Sequence, residues 1–196
     1  MDTTTSSGVL AAVMRSRRTC KAYTGQAVAR RELEAALELA RWAPTHQLRE
    51  PWRFAVLEQP GIQRLIAFLR IDPAFAAQRG ADERARTKFE QLLARLPQAG
   101  ALIFVTWMRQ EAPAIDAEDH AATAAAVQNL LLALHDLGLG TYWSTSAPFM
   151  HAATARWFEI DPEREGVMGV IWVGHAATIP PPPPRRPLDE RVRFLG

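Results

Sequence analysis

Two kinds of apolar pattern alternate along the chain. Ala101-Leu102-Ile103-Phe104-Val105-Thr106-Trp107 and Val167-Met168-Gly169-Val170-Ile171-Trp172-Val173-Gly174 are short, continuous and rich in β-branched residues, as expected of strands buried on both faces. Trp52 to Leu57, opened by Pro51, and Leu139 to Thr145 read as two more strands. Between them apolar residues recur at helical spacing. Val9, Leu10, Val13 and Met14 predict a short first helix. Leu33, Ala36, Leu37 and Ala40 share one face of a helix over 30–42, with Arg31, Glu34, Glu38 and Arg41 off that face. Residues 24–28 read as a turn, and 61–68, 89–96 and 149–158 as further helices.

The stretch 121–137 is apolar nearly all round, which predicts a central, buried helix ended by Gly138. Asp116, Glu118 and Asp119 precede it and would complement its N-terminus. His120 has no second histidine at ligand spacing, so capping is preferred to a metal site. Gln128 and Asn129 interrupt the apolar run, either at an interface or bonded to backbone groups. Residues 72–90 are polar and broken by Pro73 and Gly80; they read as a helical excursion, a lid or a dimer element. Helices interleaved with four to five strands imply an α/β or α+β domain.

Two prolines frame a polar loop between the second helix and the first strand. Pro44 keeps Ala43 out of the helical region, so the helix stops near Trp42. Thr45, His46, Leu48, Arg49 and Glu50 then lie on a loop anchored at both ends, a good mount for a ligand site. Glu50 beside Arg49 and Arg53 reads as a structural ion pair rather than a proton donor. His46 is either a structural histidine or a pocket residue that donates a hydrogen bond or a proton to a substrate.

The densest charge cluster is Arg15-Ser16-Arg17-Arg18-Thr19-Cys20-Lys21, four cations within seven residues. Its spacing fits a solvated helix end or an anion site built from guanidinium forks. Pro180 to Pro184, five consecutive prolines, predict a stiff polyproline II segment of roughly 15 Å. Arg185 and Arg186 follow, and Arg191-Val192-Arg193-Phe194-Leu195 alternates like a strand with one wet face. An arm over 176–196 carrying a strand suits the embrace of a second subunit; a loose terminus or a proline ligand would not account for the strand pattern.

Composition narrows the function classes. The 196 residues carry 23 basic and 21 acidic side chains, a net charge of +2, too small to argue for nucleic acid. At 48% hydrophobic and 22% charged the chain is ordinary for one soluble domain spanning 1–196, with residues 1–7 expected to be frayed. Cys20 is the single cysteine, which rules out an intrachain disulfide or a thiolate metal site; it reads as a small packing residue unless its pKa is lowered. Neither a signal peptide nor an apolar run of membrane-spanning length is visible, so a cytoplasmic protein is expected. There is no GxGxxG, P-loop, zinc spacing or Ser-His-acid order, and no dedicated nucleophile.

Four blocks in order resemble the nitroreductase family of FMN-dependent oxidoreductases. Arg17-Arg18-Thr19-Cys20-Lys21 is similar to its Arg-Arg-Ser-x-Arg opening. Ala43-Pro44-Thr45 with Pro51-Trp52-Arg53-Phe54 is similar to its Ala-Pro-Ser…Gln-Pro-Trp-x-Phe segment. Gln128-Asn129-Leu130-Leu131-Leu132-Ala133, Gly138-Leu139-Gly140 and Trp143 resemble its central helix and the turn after it, and the proline-rich tail with Arg185-Arg186 its phosphate-binding end. The short length and the His-containing loop are closest to the small single-domain branch.

The resemblance implies a three-layer αβα, α+β fold. A central mixed or antiparallel sheet of four to five strands would be flanked by helices, with the C-terminal strand exchanged between the subunits of a homodimer. It implies FMN at the subunit interface, with Arg17, Arg18 and Thr19, and less directly Lys21, on the phosphate and ring edge. Arg185 or Arg186 would form a second phosphate clamp. Trp143, Ser144 and Thr145 would lie beside the flavin, and Thr45 and Arg41 would reach the flavin of the other subunit. It further implies hydride transfer from NAD(P)H through FMN to a small-molecule acceptor such as a nitroaromatic or quinone. The alternatives are a specialised flavoenzyme acting on one metabolite and a flavin-binding dimer without turnover. Leu48 and Glu50 stand where many members carry asparagine and glutamine; leucine cannot hydrogen-bond a flavin edge.

Overall fold

A computed structural model describes residues 8–80 and 82–195; the expectation for residues 1–7 lies outside them. The strands are β1 (Trp52–Glu58), β2 (Ala101–Met108), β3 (Gly140–Ser144) and β4 (Glu165–Gly174). They form one sheet in the order β1-β2-β4-β3, each neighbour pair antiparallel. Among the described residues parallel character enters only at an isolated bridge between Thr19 and Thr141, on the outer edge of β3.

The continuous apolar runs are explained by a sheet covered on both sides. Alternate residues of a strand point to opposite faces. Leu102 and Phe104 enter one core with Val170 and Trp172, beneath α3 (Gln59–Ile71), α5 (Glu83–Arg95), α7 (Ala147–Met150) and α8 (Ala152–Trp157). Ala101, Ile103 and Val105 enter the other with Ile171 and Val173, beneath α2 (Arg30–Ala40) and α6 (Pro113–Asp136). The architecture is therefore the three-layer α+β arrangement. Full burial of a leucine or isoleucine contributes about 1.5–3 kcal/mol, so these two cores, with Leu33, Leu65, Leu69 and Leu130 at 2% exposure or less, dominate the stability. Exposed ion pairs such as Arg30–Glu58 add little beside them.

β4 changes parity once. The register runs from Val105↔Gly169 to Thr106↔Val167, so Met168 is the extra residue of a bulge. Gly169 sits at φ 127°, and a Cβ there would meet the carbonyl oxygen of Ser144 at 2.7 Å. The bulge thus requires glycine and brings β4 hard against the end of β3.

Several element boundaries differ from those the sequence suggests. α6 begins at Pro113, not near His120, because proline at the first helical turn starts a helix well. The carboxylates lie inside it: Asp116 accepts from the Trp107 indole N–H (3.1 Å) and the Gln110 amide (3.0 Å). The helix expected over 149–158 is broken at His151, whose Nδ1 caps α8 by accepting from the Ala153 amide at 3.1 Å. The 72–90 excursion resolves into a 3-10 turn at Pro73–Phe75, α4 (Ala76–Gly80) and the start of α5, pinned by Phe75 and Phe89 in the core. No strand forms within the chain over 191–195. A period of two makes a strand only where its backbone finds a paired edge, and the sheet edges do not engage this segment. The five prolines are exposed and carry neither helix nor strand. Among the described residues no helix is long and apolar enough to cross a membrane.

Candidate functional site

The basic cluster begins where α1 (Val9–Ser16) ends. The chain then turns extended and lies along the β3 edge, with the Cys20 amide donating to the Thr141 carbonyl at 2.8 Å. Residues 22–24 pair with the segment leaving β4: Ala177 N–H donates to Ala22 O (2.9 Å), and Thr24 N–H to His175 O (3.0 Å). Tyr23, buried, donates its hydroxyl to Cys20 O at 2.6 Å. This pairing ties the start of the proline-rich tail to the arginine block, and so brings together two clusters far apart in sequence.

Arg17 and Arg18 share the resulting corner, and Arg185 comes near enough for its charge to bear on Arg17. Arg17 is held below its ordinary pKa by burial first, with Arg18 and Arg185 adding like-charge repulsion. Arg17 Nη1 donates to Arg18 O (3.0 Å), and Arg18 Nη1 to Arg15 O (2.6 Å) and Arg17 O (2.8 Å). Among the described residues none of Arg17, Arg18 and Arg185 forms an ion pair. Guanidinium groups gathered without a carboxylate suit a bound anion. Thr19 is exposed at the bridge to Thr141. Lys21 lies over the Tyr142 ring, 5.0 Å from its centroid. Arg186 is exposed beside Arg185.

A histidine that has no pattern in the sequence belongs to this corner. His135, in the last turn of α6, faces Ser16 Oγ across 2.7 Å. Burial, then the charges of Arg17 and Arg18, hold its pKa below the ordinary value. A cavity of about 120 Å³ here is lined by Arg18, Cys20, His135 and the Gly138–Gly140 turn, among others. Nothing in the apolar run of α6 marks His135; the link to the arginines is tertiary. Cys20 is buried, and burial pushes its thiol pKa up, which makes it a packing residue rather than a nucleophile.

Trp143, Ser144 and Thr145 close β3 beside the Gly169 bulge. The Trp143 indole N–H is committed to Met168 O at 3.0 Å, so only its ring is available to a ligand. Ser144 is buried and accepts from the Ser146 amide at 3.4 Å, while Thr145 is exposed.

The framed loop lies elsewhere. Gln47, Leu48 and Glu50 adopt φ of 51°, 54° and 44°, the left-handed region that costs a side-chain-bearing residue. Arg49 holds this shape by bonding Asp119 through Nε (2.8 Å) and Glu118 through Nη2 (3.1 Å). The expected Glu50 pair with Arg49 and Arg53 is therefore corrected. The reversed backbone turns Arg49 toward α6, and Arg53 donates to the Glu50 and Trp52 carbonyls instead. Thr45 Oγ1 accepts from the Glu50 amide at 3.2 Å, and His46 Nδ1 lies 3.4 Å from Glu118. Thr45 and His46 line a cavity of about 530 Å³ with Pro44 and three α6 alanines. Arg41 is exposed and pairs with Glu38 at 3.3 Å.

Thr45 and His46 thus sit at residues 118–125 of α6, and the arginine corner at residue 135. At 1.5 Å per residue, 118 and 135 are roughly 25 Å apart along the helix. The structure gathers the two arginine segments, and it places Arg41, Thr45 and His46 apart from them.

The family model described as "Nitroreductase family" matches residues 14–175. A curated relative, "Putative NAD(P)H nitroreductase YfhC" of Bacillus subtilis (strain 168), is 27% identical over 186 residues, covering 93% of this chain and 92% of that protein. A nitroreductase-like family protein from Bacillus cereus superposes with a TM-score of 0.82 at 26% identity, covering 97% of this chain and 98% of that one. A Desulfovibrio desulfuricans structure in complex with FMN superposes at 0.70 with 27% identity, covering 97% and 99%.

Proposed function

The chain belongs to the nitroreductase family, and on that premise we propose that it is a homodimeric FMN-dependent oxidoreductase. It passes electrons from NAD(P)H to a small oxidised acceptor such as a nitroaromatic or a quinone. The observation that carries this reading is the convergence of Arg17, Arg18 and Arg185 without a carboxylate partner. A phosphate monoester is a dianion with three acceptor oxygens, which such a donor set fits.

Arg17, Arg18 and Arg185 hold the phosphate, with the Thr19 hydroxyl and Arg186 beside them. Lys21 offers a positive charge to the ring edge, and Trp143, Ser144 and Thr145 wall the ring at the end of β3. Arg41 and Thr45 of a second copy complete the site from the other side, because within one chain they lie too far away. His46, with Nδ1 3.4 Å from Glu118, lines the neighbouring cavity, where its ring nitrogens are within reach of a bound acceptor. FMN, once bound, supplies the two-electron carrier between nucleotide and acceptor. For a quinone the balance is NAD(P)H plus one solvent proton giving NAD(P)+ and the hydroquinone.

The second copy docks on an exposed apolar strip. Leu10 (62% exposed), Leu39 (55%), Val13 and Leu132 line a groove between α1, α2 and α6, the kind of surface a monomer seldom leaves uncovered.

The purified protein should be yellow, and anaerobic NADH or NADPH should bleach it. A colourless protein that ignores added FMN would sink the reading. Arg17→Ala should weaken FMN binding by about 1–3 kcal/mol, the cost of lost charged hydrogen bonds; unchanged flavin content would remove Arg17 from the site.

A further inference from the structure

A separate cavity of about 380 Å³ lies between α4, α5 and the start of α7. Its walls are mostly apolar: Ala85, Phe89, Leu92, Ala147 and Pro148. Three polar side chains complete it. Among the described residues Lys88 is its only charged side chain, no carboxylate lines it, and Lys88 makes no ion pair. Gln78 Oε1 and Ser146 Oγ, which come from two different elements, are buried without a hydrogen-bond partner. Buried polar atoms are ordinarily paired, so two of them lining one cavity mark a place that a polar ligand group would complete.

We infer that this cavity binds a small aromatic carboxylic acid. Its carboxylate meets Lys88 Nζ, its ring lies against Phe89, Leu92 and Pro148, and a second polar substituent meets Ser146 and Gln78. The charge selects an anion, the walls select an apolar body, and the volume suits a single substituted ring rather than a dinucleotide. Ser146 also links the cavity to the turn at Ser144, through its amide bond to Ser144 Oγ. The inference therefore rests on the proposed function in one respect: the bound acid is the electron acceptor, held beside the turn that walls the ring.

The test is calorimetric titration of the FMN-saturated protein with 4-nitrobenzoate and with its uncharged methyl ester. The acid is expected to bind about tenfold more tightly than the ester, as a charged hydrogen bond provides. Lys88→Met should erase that preference, and Lys88→Glu should invert it, while affinity for the ester serves as the internal reference for an intact cavity. A wild-type protein that binds neither compound, or a preference that survives both substitutions, overturns the proposal. The two readings fail separately. Bleaching by NAD(P)H without carboxylate selectivity removes the cavity assignment alone. A protein that ignores added FMN but still selects the acid through Lys88 removes the flavoenzyme reading and the acceptor role with it, and leaves the carboxylate site standing.

Discussion

His135 is the residue whose environment makes the clearest demand. Its burial and the cations of Arg17 and Arg18 favour the neutral imidazole in the folded chain. The unfolded chain titrates near the ordinary value of 6.5, so below that value it binds a proton that the folded chain resists. Stability is then fully present above about pH 6.5 and falls as the pH drops through that value toward the lower folded-state pKa. His135→Gln, which keeps a hydrogen-bonding atom for Ser16 Oγ, should flatten this limb in urea titrations between about pH 7 and 5. An unchanged slope would assign the acid loss to other groups. If the corner holds a phosphate, its charge offsets the arginines, and saturating FMN should make the acid loss smaller.

Among the elements, the loop from Thr45 to Glu50 is the one held against its own preference. Three of its residues occupy left-handed backbone, and the restraint is Arg49 on Glu118 and the buried Asp119. Arg49→Met would strand a buried carboxylate. Its urea midpoint should fall several-fold further than that of Arg30→Met, which breaks only an exposed pair. Equal losses would show that the loop holds its shape unaided. This element also marks how far the sequence could be read. Pro44 and Pro51 announce the loop, and the runs 101–107 and 167–174 announce strands, because proline geometry and two-sided burial act locally. The partner of Arg49 was not legible: Glu50 is adjacent in sequence, but Asp119 is adjacent in space. Likewise α5 was only half visible, since its polar face is continuous and just Phe89 and Leu93 are buried. Arg17 and Arg18 were legible as a cluster, whereas their meeting with Arg185 depends on the Tyr23–Ala176 bridge. Gly169 gave no local sign of a bulge, which arises from the register of β2 against β4.

At the scale of the whole molecule, Leu10, Leu39 and their neighbours on α1, α2 and α6 leave an apolar groove exposed. Leu132→Asp should leave a folded chain that elutes as a monomer and loses most of its flavin. A dimer that persists would place the subunit contact on another face. The groove also contains Asn129 and Asp136, polar groups that would fix the register if a second copy docked here.

The length of α6 has a consequence for inheritance. If its two ends serve two different flavins, a site is the joint property of two polypeptides, and damage can be sorted between them. A chain lacking Arg17 and a chain lacking the Thr45 loop would each be inactive alone. Co-expressed, they would form mixed dimers in which the two lesions, one from each chain, fall in the same site and leave the other site whole. Partial recovery of activity in the mixture, at up to half the intact sites per mixed dimer, is the expected result, and its absence would mean that each chain builds its site alone.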